Sequence, residues 1–274
     1  MREQRLAEAN IDVKIVRELS TPVELQSFKI GARGEERDTG EGFILVFAAG
    51  FVIYLTILMY GQVILGAVIE EKETRIAEIL FSSVKPLPLM TGKLIGISLL
   101  ALTQLGVWGL AFGVFAFWGV GVLAGQGLPV HLPNIAGVVY VYFGLFFLLG
   151  YFIYATIYAL VGSMVTTAQE GGQLAMPVIL LLAIGFYLAF PVIRSPDSSF
   201  AFWVSMFPFF SPITMLVRIV TQTPPFWQIA LSLLIGFGTI VLLIWLAARI
   251  YRIGMLMHGK RATIPEVWRW VRQA

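Results

Sequence analysis

"GAVIEEKETRIAEILFSSVKPLPLMTGKLIG", Gly66 to Gly96, packs Glu70, Glu71, Lys72, Glu73, Arg75 and Glu78 into one short interval between two long apolar runs. The rest of the chain explains why that is unusual. Its 274 residues are 58% hydrophobic and only 13% charged, with a mean hydropathy of +0.84. A soluble domain carries about 25% charged residues. Roughly 20 apolar residues make a helix that crosses a bilayer, and several such runs are present. The composition predicts an all-α integral membrane protein. The sequence has no Cys, which excludes disulfides, a thiolate nucleophile and a Cys-based metal site. The net charge of +3 reads as a topology signal in such a chain, not as affinity for nucleic acid.

Five apolar segments are expected to span, at about 43–69, 94–124, 135–165, 172–193 and 227–248. Before them, residues 1–41 have the composition of a soluble tail. Leu6, Ala9, Val13 and Val16 recur at helical spacing, "VELQSFKI" suits a strand, and "GARGEERDTGEG" reads as a solvated linker. This tail is too short to bury a core of its own. No apolar signal-peptide core is visible in "MREQRLAEANIDVKIVREL". The remaining divisions are a membrane region over 42–252 and a basic tail over 253–274. Between the fourth and fifth segments lies "RSPDSSFAFWVSMFPFFSPITMLVRIVTQTPP", Arg194 to Pro225. Pro208 and Pro212 each interrupt a helix, and Trp203 with its Phe neighbours suits the headgroup belt. Re-entrant half-helices are expected there, not a sixth span.

Basic residues fix the orientation. Lys72, Arg75, Lys85 and Lys93 follow the first segment, and Arg249, Arg252, Lys260, Arg261, Arg269 and Arg272 follow the fifth. An odd number of spans puts both clusters on one side, where positive charge marks the cytoplasm. The opposite side then holds Arg194, Arg218 and the N-terminal tail. That tail has basic residues of its own, and long external domains translocate largely regardless of charge.

Two motifs invite a catalytic reading. Glu70, Glu71 and Arg75 match the E-E-x-x-x-R of glutamate-type intramembrane proteases. That chemistry needs His at membrane depth to hold water and oxyanion. The two His residues lie elsewhere, His131 in the Pro-flanked "GLPVHLPNIAG" and His258 in the basic tail. "GMLMHGKR" fits G-x-x-x-x-G-K, but Arg261 stands where a P-loop needs Ser or Thr, and a membrane helix precedes it. Thus the chain carries no ATPase site of its own. None of the five segments has Asp, Glu, Lys, Arg or His in its apolar core, which argues against a proton-driven pump. Work done by such a chain draws its energy from another. The small-xxx-small pairs Gly92/Gly96 and Gly109/Gly113 read mostly as internal packing. The stripe of Tyr151, Tyr154 and Tyr158 on the third segment reads as packing before substrate contact.

In the elbow itself, Ile76, Ile79 and Leu80 stand at i, i+3 and i+4, with Ser82, Ser83 and Pro86 closing the pattern. This predicts a short amphipathic surface helix with its acids near the start, where the dipole favours them. A solvated loop and a coupling helix that meets a cytoplasmic motor both fit that pattern.

"IEEKETRIAEILFSSVKPLPLMTGKLIG" resembles the segment between the second and third spans of ABC type-2 transporter permeases, in the subgroup that includes sodium-exporting permeases. "MFPFFSPITMLVRI", Met206 to Ile219, is similar to that family's external Pro-rich re-entrant motif. "ARIYRIGMLMHGKRATIPEVWRW", Ala248 to Trp270, resembles its cytoplasmic tail. The resemblance implies five transmembrane helices, a short cytoplasmic coupling helix and external re-entrant half-helices, in the inner membrane of a prokaryote. It implies a non-enzymatic exporter subunit that moves a sodium ion, peptide, drug or lipid-like substrate outward. The motor is a separate cytoplasmic ABC ATPase subunit, which binds the ATP and Mg2+; this chain binds no cofactor. A second permease copy or a complementary half completes the dimer, in membrane lipid. Glu70, Glu71, Lys72, Glu73, Thr74, Arg75 and Glu78 then couple to the ATPase, Gly92 and Lys93 end the elbow, and Pro208, Ser211 and Pro212 shape the external gate. Full members of the family begin with a further span and a large external domain, so the chain is expected to represent the C-terminal part of such a permease. An intramembrane protease and a non-transporting assembly or immunity protein are the alternative readings.

Overall fold

A computed structural model describes residues 28–31, 34–37, 41–74, 76–126 and 136–256. The expectations placed on residues 6–16, Arg75, His131, His258 and the tail beyond 256 fall outside the described residues. The chain divides into two compact units, Met1–Glu41 and Gly42–Ala274. In the first, β1 (Phe28–Gly31) and β2 (Gly34–Arg37) pair antiparallel, Phe28 opposite Arg37 and Gly31 opposite Gly34. Part of the expected linker is therefore the second strand of a hairpin.

Every regular element described in the second unit is a helix. Its elements are α1 (Glu41–Glu73), α2 (Ile76–Ser83), α3 (Pro86–Gly125), α4 (Gly137–Met164), α5 (Ala168–Arg194), α6 (Ser199–Met206), α7 (Ser211–Thr221) and α8 (Phe226–Leu256). Five of them, α1, α3, α4, α5 and α8, are long and apolar enough to cross a membrane. At 1.5 Å per residue, the 28 residues of α4 reach about 42 Å, more than the roughly 30 Å hydrocarbon core. Apart from the β1–β2 pair, the described residues form an all-α, multi-pass membrane protein.

Two of the boundaries that differ from the sequence expectation reshape the elbow. First, α1 does not stop where the charges begin. Glu and Lys are good helix formers, and the helix runs through Glu70, Glu71, Lys72 and Glu73. It ends at Thr74, whose hydroxyl donates to the Glu70 carbonyl at 2.7 Å. The acids thus occupy the last turn of a helix, where the dipole disfavours them, not the first turn of the elbow helix. Second, Pro86 begins α3; proline suits a first helical turn, where its missing N–H would be unpaired anyway. Gly92 and Lys93 consequently lie inside α3 and do not end the elbow.

The core forms around α4, which buries Phe146, Phe147, Tyr151, Ile153, Tyr154 and Tyr158 and packs most extensively on α8. That approach depends on a glycine: a Cβ on Gly236 of α8 would collide with Leu149 Cδ1. By contrast, Leu110, Phe112, Phe115, Phe117 and Trp118 of α3 are exposed. Among the described residues a Cβ at Gly92, Gly96, Gly109 or Gly113 would meet nothing within 4 Å, so these small-xxx-small pairs do not serve packing between the described helices.

Candidate functional site

The described end of α1 meets four other helix ends. Consecutive residues on a helix project about 100° apart, and Glu71 and Lys72 use that angle to reach different neighbours. The Glu71 carboxylate forms an ion pair with Lys93 of α3, and Tyr251 of α8 donates its hydroxyl to the same oxygen, Oε2, at 3.4 Å. Lys72 is only 4% exposed, and its ammonium donates to the main-chain carbonyl of Ser163 at 2.8 Å. Ser163 lies in the last turn of α4, where carbonyls lack helical partners and a cation is favoured.

The next corner is closed by α5. Its N-cap, Thr167, accepts from the Glu170 N–H, while the Glu170 carboxylate accepts from the Thr166 N–H and hydroxyl. This is close to the reciprocal capping box that S/T-x-x-E announces. Gly254 of α8 lies against the Ser163 carbonyl, 2.7 Å from where a Cβ would sit.

The seven expected coupling residues therefore separate. Glu70, Glu73 and Thr74 are exposed, whereas Glu71 and Lys72 turn inward. Glu78 lies on α2. The apolar stripe of α2 faces outward, with Ile79 70% exposed and Ile76 46% exposed. Glu71, the second acid of the protease-like motif, is committed to Lys93 and Tyr251. Among the described residues no cluster of three or more His, Asp or Glu could hold a metal ion.

The opposite helix ends hold the other expected site. α6 and α7 are joined by a turn over residues 207–210, in which the Phe210 N–H donates to the Phe207 carbonyl at 3.0 Å. Pro208 occupies that turn, and Pro212 lies in the first turn of α7, so one break serves for the two expected. Ser211 is buried and donates to the Pro208 carbonyl at 3.4 Å. The hairpin is seated on α4. Tyr154 donates to the Phe209 carbonyl at 2.9 Å, and Pro212 fills the notch at Gly150, where a Cβ would come within 2.7 Å of its own. Pro208, Ser211 and Pro212 are thus brought together in one packed turn. The remaining tyrosines of the stripe also pack: Tyr151 donates to the Leu94 carbonyl at 3.2 Å, and the Tyr158 ring covers Gly61.

Arg218 organises this end, although sequence reasoning assigned it only a topological role. It is 2% exposed. Nε donates to the Pro196 carbonyl at 2.8 Å, one terminal nitrogen to Ser205 Oγ at 2.9 Å, and the other to Gln228 Oε1 at 2.8 Å. Three elements are fastened by one planar fork, which a lysine could not imitate. Burial lowers the pKa of the guanidinium from its ordinary value, and Asp197 opposes that. Ser232 of α8 closes the set by donating to the Ser205 carbonyl at 2.9 Å.

Among the described residues, two apolar grooves lie at the flanks of the core. One, of about 470 Å³, lies among α3, α4 and α8 and is lined by Leu94, Leu149, Phe152 and Phe237. The other, of about 550 Å³, lies among α1, α3, α4 and α7 and includes Trp108, Phe112, Tyr140 and Phe143.

Residues 2–249 match the family described as ABC-2 family transporter protein. The chain is 34% identical over 281 aligned residues to the uncharacterized protein YhaP of Bacillus subtilis, covering 98% of this chain and 65% of that one. It is 26% identical over 265 residues to the uncharacterized protein MJ1024 of Methanocaldococcus jannaschii, covering 96% of this chain and 62% of that one. The chain thus spans a little under two thirds of each relative. No solved structure matches it.

Proposed function

Because this chain belongs to the ABC-2 family of transporter proteins, we propose that it is a membrane-spanning permease subunit of an ATP-binding cassette exporter. A separate cytoplasmic ATPase binds ATP and Mg2+ and engages the elbow. The observation that carries this reading is the surface of the elbow: Ile76 and Ile79 of α2 are exposed, and so are Glu70 and Glu73 in the last turns of α1. A short helix between two spans, with an apolar stripe turned outward and acids at its edge, suits insertion into a groove on another protein.

Closure of the motor moves α2, and the movement reaches the spans to which α2 is joined, α1 and α3. A path for a sodium ion, peptide, drug or lipid-like molecule then opens outward between this chain and a second permease copy. The exposed length of α3, with Gly109 and Gly113 open for close approach, supports a helix-to-helix contact of that kind. At the outer end the α6–α7 hairpin is the gate, seated by Pro208, Ser211 and Pro212. The roles are mechanical, and the elbow and C-terminus lie in the cytoplasm of a prokaryotic cell.

Purification of the tagged chain from its native membrane in mild detergent tests this. A P-loop ATPase is expected to accompany it and to be lost on Ile79→Asp. Recovery of the folded chain with no ATPase counts against the reading.

A further inference from the structure

The elbow's charged run contains two residues that turn inward, onto the chain's own helices. Glu71 reaches α3 and α8 through Lys93 and Tyr251, and its side chain is 23% exposed against 13% for Lys93. Lys72 reaches the end of α4 through the Ser163 carbonyl and lies within the electrostatic influence of Glu170 on α5. These two side chains, adjacent on one helical turn, therefore connect α1 to α3, α4 and α8 at this end of the molecule.

We propose that Glu71 and Lys72 form a two-sided clasp that positions the elbow, with Lys93, Tyr251 and Ser163 as its receiving groups. The Glu71 arm fixes the start of α3 against the end of α8, and the Lys72 arm fixes α1 to the α4–α5 corner. The inference deepens the coupling role proposed above and rests on it for the direction of force, but the clasp itself is a property of this chain alone. A largely buried ion pair loses much when one partner is removed, because the other charge is left without compensation. With both partners present, it holds one arrangement. Rotating the end of α1 would break both arms together, since the two residues share one turn of backbone. α2, joined to α1 through residues 74–75, then moves as one piece with α3 and α8 while the clasp holds, and independently once it opens.

The absence of Cys allows spin labels to be placed at two chosen positions only. Labels at Ile79 on α2 and Leu242 on α8, both exposed, report the distance between elbow and span in the purified full chain in lipid nanodiscs. No ATPase is needed, so this outcome is separate from recovery of the motor. The parent is expected to give one narrow distribution. Glu71→Gln and Lys93→Met are expected to broaden it or add a second distance, and the exchanged pair Glu71→Lys with Lys93→Glu to restore a narrow one. Tyr251→Phe loses a single hydroxyl and keeps its packing, so it carries the test if the charge variants fail to fold, and it is expected to broaden the distribution by a smaller amount. Distributions indistinguishable from the parent in every variant that folds would overturn the clasp, whether or not an ATPase binds the elbow.

Discussion

Lys72 of α1 donates to the carbonyl of Ser163, 91 positions away, and closes the C-terminal turn of α4 from outside that helix. A hydrogen bond to a charged group contributes about 1.5–3 kcal/mol. Lys72→Met keeps the length of the side chain and removes the ammonium. It is expected to destabilise the helical unit by an amount in that range, read from chemical unfolding in detergent micelles. An unfolding midpoint equal to the parent's would mean that the carbonyl is satisfied as well without Lys72.

The division between inward and outward elbow residues predicts opposite phenotypes for neighbours in sequence. Ile79→Asp and Glu73→Lys alter exposed positions and are expected to change stability by no more than the scatter of surface substitutions, about 0.5 kcal/mol, while releasing the ATPase. Lys72→Met is expected to lower stability first. Paired melting and co-purification measurements on the same preparations separate the two patterns. A uniform effect across all three variants would remove the distinction between docking surface and internal support.

Gly150 offers a check on how the outer hairpin is held. A Cβ there would stand 2.7 Å from Pro212 Cβ and 2.9 Å from Ile57 Cδ1, so Gly150→Ala must push α7 away from α4 or displace α1. Overpacking of this kind costs about 1–3 kcal/mol. Lowered stability is expected, with faster proteolysis between α6 and α7. Gly109→Ala, at an open position of α3, is the matched control and should change neither. Its effect should fall instead on association with a second copy, followed by crosslinking in the membrane.

Much of this architecture is local information. Apolar runs of spanning length mark α1, α3, α4, α5 and α8, and Pro208 with Pro212 announces a break that cannot be a sixth span. Thr167 and Glu170 form a legible cap at the start of α5. What sequence periodicity could not supply was the direction each elbow charge takes. The run from Glu70 to Glu73 reads equally well as the start of a surface helix or the last turn of a span, because Glu and Lys favour either. Only the receiving groups decide it, and Tyr251 lies 180 positions from Glu71. Arg218 was hidden for the same reason: its acceptors at Pro196, Ser205 and Gln228 come from the α5–α6 turn, α6 and α8, and nothing in "MLVRIV" signals that they converge.

That convergence gives Arg218 a graded test. Lysine retains the charge but presents its donors from a single point, so it cannot reach the Pro196 carbonyl, Ser205 Oγ and Gln228 Oε1 together. Arg218→Lys is therefore expected to behave more like Arg218→Met than like the parent, and Gln228→Leu, which removes one acceptor of three, to fall between. Ala201 of α6 is fully buried and small, so Ala201→Cys places a thiol beneath the hairpin in a chain that otherwise has none. A membrane-impermeant maleimide added to intact cells should leave that thiol unlabelled in the Arg218 background, label it slowly with Gln228→Leu and quickly with Arg218→Lys. If Arg218→Lys protects the thiol as well as arginine does, charge alone holds the hairpin and the fork geometry is incidental. If labelling of the loosened variants requires broken cells, the hairpin lies on the cytoplasmic side and the proposed orientation is reversed.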